Sequence, residues 1–165
     1  MIKASLYWIA NAPNTWRLAI LPRPRGGEWL DDEIASLALQ GVSVLVSLLT
    51  TAEVNELDLT AEPAACVTSS VRFVSFPIED RSIPTDTGAV HALIHKIRNA
   101  LDAGQGVAIH CRAGLGRSAM IAAATLVTAN IQVDHAFRLI AAARRCQVPD
   151  TQQQRDWVNQ YQNRL

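Results

Sequence analysis

The chain has 165 residues, with 15 Lys plus Arg against 15 Asp plus Glu and a formal net charge of zero. A length near that of one domain and 49% apolar residues suffice to bury a core, while a charged content of only 18% excludes a disordered polyelectrolyte. Neutrality also excludes the basic excess of a protein that coats nucleic acid or an acidic membrane. Only Lys3 and Lys96 are lysines, so the basic residues are almost all Arg, whose rigid donor fork suits oxyanions.

Leu6 to Ile9 and Arg17 to Leu21 read as short early strands, the second ended by Pro22 and Pro24. Asp31 to Leu39 is helical and Gly41 closes it. Val42 to Leu49 is continuously apolar and Val-rich, as a strand buried on both faces should be. Thr50 and Thr51 cap a short helix, with Glu53 placed for a capping box. Val71 to Pro77 is a further strand. Pro84 and Thr85-Asp86 introduce a long amphipathic helix running to about Ala103, ended by Gly104. Val107 to His110 is a short buried strand, and Arg117 to Ala129, Val133 to Arg145 and Thr151 to Gln162 are three closing helices.

Strands alternating with helices imply an α/β fold: a central, mostly parallel twisted sheet of four to five strands flanked by helices on both faces. Nothing marks a linker or a repeat, so residues 1–165 are read as a single catalytic domain, acting as a monomer. Cys66, Cys111 and Cys146 form no C-x-x-C pair and are too few for a disulfide framework. The apolar stretch Leu6 to Ala10 is too short for a signal peptide, and no run reads as a membrane span. These features point to a soluble, reducing, cytoplasmic setting with no nucleic-acid or membrane partner.

Ligands in such sheets bind at the carboxyl ends of strands. The segment VAIHCRAGLGRSA, Val107 to Ala119, fits that geometry: a buried strand, Cys111, a Gly-containing loop, then Arg117 and Ser118 opening a helix. Gly114 and Gly116 let the backbone curl so that successive N–H groups point inward, making an anion site at a helix N-terminus. The same dipole favours a thiolate at Cys111. Arg117 can grip two oxygens of a phosphate, and a thiolate beneath a phosphoryl group is placed for in-line attack.

Here the sequence resembles the cysteine-dependent protein phosphatases, whose signature H-C-x-x-G-x-x-R-[ST] is met by His110, Cys111, Gly114, Arg117 and Ser118. The filled loop HCRAGLGRS is most similar to the small dual-specificity branch, which has bacterial and archaeal members and includes the cyclin-kinase-associated phosphatases. Ala119 departs from the Gly common in that family. The resemblance extends loosely from Val42 to the C-terminus and implies a protein tyrosine phosphatase-like fold. It implies that Cys111 forms a phosphocysteine, and that Arg117 and the loop amides of Arg112, Ala113, Gly114, Leu115, Gly116 and Arg117 hold the phosphate. Ser118 then supports the sulfur as leaving group, His110 supports the loop, and neither a metal nor another cofactor is required. The general acid of this family is an Asp on a loop about thirty residues before the Cys. In FPIEDRSIP, Asp80 takes that place ahead of Glu79, and Asp86 suits a helix cap instead.

The expected substrate is a phosphorylated protein, phosphotyrosine with phosphoserine or phosphothreonine as further options in a shallow pocket. A non-protein phosphate ester, or a phosphate-binding pseudo-phosphatase, is the alternative. Arsenate reductases and low-molecular-weight phosphatases order acid and loop the other way, and sulfur transferases fit the Arg-Ser ending poorly. Cys66 or Cys146 could pair reversibly with Cys111 as in the wider family, and one of Gln152, Gln153 and Gln154 could position the hydrolytic water. Arg144 and Arg145 near a helix end could touch an acidic substrate. His91 and His95, four residues apart, and the four Trp residues read as helix-surface and packing residues respectively, although a Trp near the N-terminus could line a substrate groove.

Overall fold

A computed structural model describes residues 2–165. The elements follow the order β1 (Tyr7–Trp8), β2 (Leu18–Leu21), α1 (Leu30–Leu39), β3 (Val44–Ser47), α2 (Thr51–Glu56), α3 (Glu62–Thr68), β4 (Arg72–Ser75), α4 (Thr87–Asp102), β5 (Val107–His110), α5 (Arg117–Val127), α6 (Val133–Arg144) and α7 (Gln152–Asn163). The sheet has five strands in the order β1-β2-β5-β3-β4. Only β1 pairs antiparallel; the other ladders are parallel.

The three central strands are buried at every position. Their side chains alternate between two cores, as a period of two requires. Leu18, Ile20, Val44, Val46, Val107 and Ile109 face the larger core, with residues of α4 to α7. Ala19, Leu21, Leu45 and Ala108 face the smaller one, with α1 and α3. Continuous Val, Ile and Leu runs form strands here because both faces need apolar cover. At the centre of the larger layer lies α5, buried along its whole length; its alanines let α6 and α7 pack close.

Local signals set the ends. Asp86 caps α4 by accepting from the Ala89 N–H at 2.9 Å. Beyond α1, Gly41 sits at φ +101°, and Gly41 and Val42 donate back to the carbonyls of Ala38 and Leu37, which closes the helix. The first turn of α1 carries Asp31, Asp32 and Glu33, favourable against the helix dipole. Two differences from the sequence reading stand out. Helix α5 stops at Val127, two residues short of Ala129. Helix α3 has no counterpart in the sequence reading: AEPAACVTSS has small residues, a Pro and few large apolar side chains, and its packing on α1 and β4 stabilises it. Among the described residues no helix is long and apolar enough to cross a membrane.

Candidate active site

The loop from Cys111 to Gly116 leaves the buried end of β5 and enters α5, at the carboxyl edge of the parallel strands. Its two glycines are required by close approach. At Gly114, φ is +73°, and a Cβ would stand 2.5 to 2.7 Å from the Leu21–Pro22 backbone. At Gly116 a Cβ would collide with the carboxylate of Asp150, in the turn before α7. Arg144, at the end of α6, donates from Nε to the Gly114 carbonyl and from Nη2 to the Ala113 carbonyl, both at 3.2 Å. The Arg144 guanidinium lies 4.0 Å from the Tyr7 ring centre. Arg144 thus ties the outer carbonyls of the loop to the end of α6.

Cys111 is buried, and its Sγ lies 3.4 Å from Ser118 Oγ in the first turn of α5. His110, fully buried, spans two groups: Nδ1 lies 3.2 Å from its neighbour's carbonyl, that of Cys111, and Nε2 lies 2.7 Å from Glu62 Oε1. His110 thus joins the carbonyl of Cys111 to the carboxyl of Glu62 on α3. Its partner Glu62 was not foreseen, because it stands on the helix that the sequence concealed. The second oxygen, Glu62 Oε2, is buried without a hydrogen bond.

Arg117 gathers the most contacts. Nη1 donates to Glu53 Oε2 and to the Ile78 carbonyl, each at 2.8 Å, and Nη2 donates to Glu53 Oε1 at 2.9 Å. Nη2 also lies 3.2 Å from Asp80 Oδ1. Nε is buried with no partner in the protein. Burial works against the guanidinium's charge, but the Glu53 bond, with Cys111 and Asp80 nearby, raises its pKa above the ordinary Arg value. Burial also pushes the Glu53 carboxyl up, yet the bonds from Arg117 and Thr50 outweigh it and hold the carboxyl below its usual range.

Glu53 was expected only as a capping-box residue, and it is one: Thr50 N–H donates to Oε2 at 2.9 Å while Glu53 N–H donates to Thr50 Oγ1. The same carboxylate anchors Arg117, a second use with no local signal. Of Asp80 and Glu79, it is Asp80 that lies beside Arg117. Neighbouring Glu79 instead lines a cavity of about 650 Å³ behind the acid loop, which contains none of Cys111, Asp80 or residues 112–117. Gln154 is buried, completes a capping box with Thr151 and donates from Nε2 to the Ser82 carbonyl, tying α7 to the acid loop. Gln152 bonds Asp156 on the surface.

Cys66 packs in the smaller core, on the other side of the sheet from Cys111, and burial with Glu62 nearby pushes its thiol up to about 12. Cys146 is exposed. His91 and His95 face each other at 3.0 Å on the surface of α4, and His91 also bonds Tyr161. Trp16 is buried and donates to Asp102, Trp157 stacks on Tyr161, and Trp8 and Trp29 lie beneath Arg17 and Arg25.

Comparison with solved structures shows a shared fold over the whole chain. Kinase associated phosphatase, carrying a serine in place of its catalytic-site cysteine, superposes with a TM-score of 0.89 at 17% identity, covering 100% of this chain and 97% of that one. Tk-PTP in its active form gives 0.78 at 22% identity, covering 98% of both chains. PTPMT1 gives 0.77 at 20% identity, with 97% and 95% covered. No curated protein matches the sequence. A family described as the polymorphic toxin system DSP-PTPase phosphatase matches residues 21–130, from the last residue of β2 to just past α5, and so contains the cysteine loop, Glu53 and Asp80. The chain therefore belongs to that family of cysteine-dependent, dual-specificity-type phosphatases.

Proposed function

We propose that the protein is a phosphomonoesterase that removes phosphate from phosphotyrosine, and from phosphoserine or phosphothreonine, in protein substrates. In keeping with the family's description, the setting of this activity is a polymorphic toxin system. The observation that carries the reading is the position of Arg117, whose guanidinium adjoins the cysteine loop and touches Asp80.

The substrate phosphate takes the loop amides of residues 112–117 together with Arg117 Nε–H and one N–H of Nη2, the face that Glu53 leaves open. Cys111, as thiolate, attacks phosphorus; the P–O ester bond breaks and Asp80 gives its proton to the leaving oxygen. Asp80, now a carboxylate, takes a proton from water as that water attacks the phosphocysteine. The S–P bond breaks, and Ser118 donates to the departing sulfur across the 3.4 Å contact. Arg117 and the amides stabilise the equatorial oxygens in both steps, so the positive field needs no metal.

The test is hydrolysis of p-nitrophenyl phosphate and of phosphotyrosine, phosphoserine and phosphothreonine peptides, with Cys111→Ser as the control. Turnover by the native chain, absent in the variant, is expected. A variant that kept its activity would overturn the mechanism, and activity confined to phospholipid or small-molecule esters would replace the protein substrate by the alternative.

A further inference from the structure

His91 and His95 stand one turn apart on α4, exposed, and belong to neither the cysteine loop nor the acid loop. A spacing of four residues brings two side chains to one face of a helix. Their Nε2 atoms lie 3.0 Å apart, and their rings meet edge to face at 78° with centroids 4.4 Å apart. Two neutral imidazoles keep that contact only by placing one proton between the two nitrogens. Without that proton, both lone pairs point into one small space open to solvent.

The far side of His91 is anchored. Its Nδ1 lies 3.0 Å from Tyr161 Oη on α7, and Tyr161 is buried and stacked on Trp157 with centroids 5.4 Å apart. A proton on Nδ1, given to that oxygen, leaves Nε2 bare and fixes the direction of the ring. This is the arrangement of a ligating histidine, whose second N–H is held by an outer partner.

The separation and the ligand type narrow the ion. With metal–nitrogen bonds of about 2.0–2.1 Å, two ligands 3.0 Å apart subtend about 95°, between a right-angled tetragonal site and a tetrahedral one at about 109°. Calcium and magnesium take oxygen ligands, and the softest ions take sulfur, so two imidazoles select Zn²⁺, Ni²⁺ or Cu²⁺. Among the described residues no third His, Cys, Asp or Glu completes a cluster, so water fills the remaining positions. We propose that His91 and His95 bind a divalent transition-metal ion of this class through their Nε2 atoms, with Tyr161 as the outer partner. The ion takes the place of the shared proton, which moves to His95 Nδ1. Helix α4 starts just after the acid loop and α7 is bonded to that loop at Ser82, so the anchored pair lies across the two helices that flank it.

The experiment titrates Zn²⁺ into the chain carrying Cys111→Ser and Cys146→Ser, which removes the loop thiol and the exposed thiol as competing ligands. The same background then receives His91→Ala, His95→Ala or Tyr161→Phe. In nitrogen correlation spectra of the four His side chains, Nε2 of His91 and His95 is expected to shift saturably at neutral pH, while His110 and His135 stay in place. By calorimetry each alanine variant loses at least about tenfold in affinity, and Tyr161→Phe loses about tenfold, as removal of an outer partner does. The thermal midpoint of the parent climbs with Zn²⁺ concentration, and the climb is absent in the alanine variants and with Mg²⁺. Resonances of the pair that do not move, or a binding isotherm and midpoint shift that survive both alanines, overturn the site. Full affinity in Tyr161→Phe overturns the anchoring role of Tyr161.

Discussion

Arg117 and Glu53, 64 residues apart in sequence, meet through two parallel bonds of 2.8 and 2.9 Å. Of the five N–H donors of the guanidinium, three are spent on Glu53 and the Ile78 carbonyl. The edge formed by Nε and the remaining N–H of Nη2 is therefore fixed in direction before any substrate arrives. Removing Glu53 should cost orientation more than charge. Glu53→Gln, which turns an amide N–H against the guanidinium, is expected to lower kcat/KM about tenfold to a hundredfold, the range for losing one to two charge-assisted bonds. Steady-state kinetics on p-nitrophenyl phosphate measures this, and unchanged kinetics would show that Arg117 needs no anchor. Glu53→Ala should also destabilise the fold by about 3 kcal/mol, since it strands a buried cation.

The same pair sets a pH dependence of stability. Glu53 is held below the usual carboxylate range: burial opposes this, and the bonds from Arg117 and Thr50 prevail. Its folded pKa thus lies below its unfolded one, and the stabilisation is fully present above the unfolded value, about 4.3. It is lost as pH falls through the lower folded value. Urea unfolding midpoints should drop between pH 5 and pH 3, roughly, and drop less steeply in Glu53→Gln. Parallel slopes in the two proteins would show that the pair is not linked to folding.

Asp80 and Glu79 are separated by the structure where sequence spacing left them adjacent. Asp80 reaches the guanidinium and Glu79 turns to the cavity behind the loop. For Asp80→Asn the expected kcat is about a hundredfold lower or worse, with substrate binding retained. Glu79→Gln should stay near the native rate. The reverse pattern would move the acid role to Glu79.

What was legible in the sequence was local. The capping box at Thr50 and Glu53, the Asp86 cap, the Gly41 stop and the spacing of Cys111, Gly114, Arg117 and Ser118 each involve residues within one or two turns. Continuous apolar runs at β3 and β5 disclosed buried strands, and the alternation of strands with helices disclosed the layered fold. Partners brought together by the sheet were not legible. Glu53 to Arg117, Glu62 to His110 and Gln154 to Ser82 join elements far apart in the chain, and polar side chains on short helices look like solvent-facing residues until burial is known. Helix α3 was concealed because alanines and a first-turn Pro carry little periodic signal.

Glu62 shows how such a partner can be tested. Both ring nitrogens of His110 face oxygen, the Cys111 carbonyl and the Glu62 carboxyl. The pair must therefore hold one proton on Nδ1 and a second between Nε2 and Oε1. Glu62→Gln can keep both bonds by offering its amide N–H to Nε2, whereas Glu62→Leu leaves a buried nitrogen unpaired. The leucine variant should lose about 1–3 kcal/mol in chemical denaturation, and the glutamine variant much less. Equal losses would mean that the contact has no hydrogen-bonding content.

Asp150 and Gln154 bracket the start of α7, the one packed against Gly116 and the other bonded to the acid loop at Ser82. During synthesis the cysteine, the arginine and the acid all emerge before this helix does. A segment cut before α7 would carry all of these side chains and yet lack the approach of Asp150 to Gly116 and the Gln154 bond to Ser82, so the arrangement of the two loops depends on a helix that holds none of them.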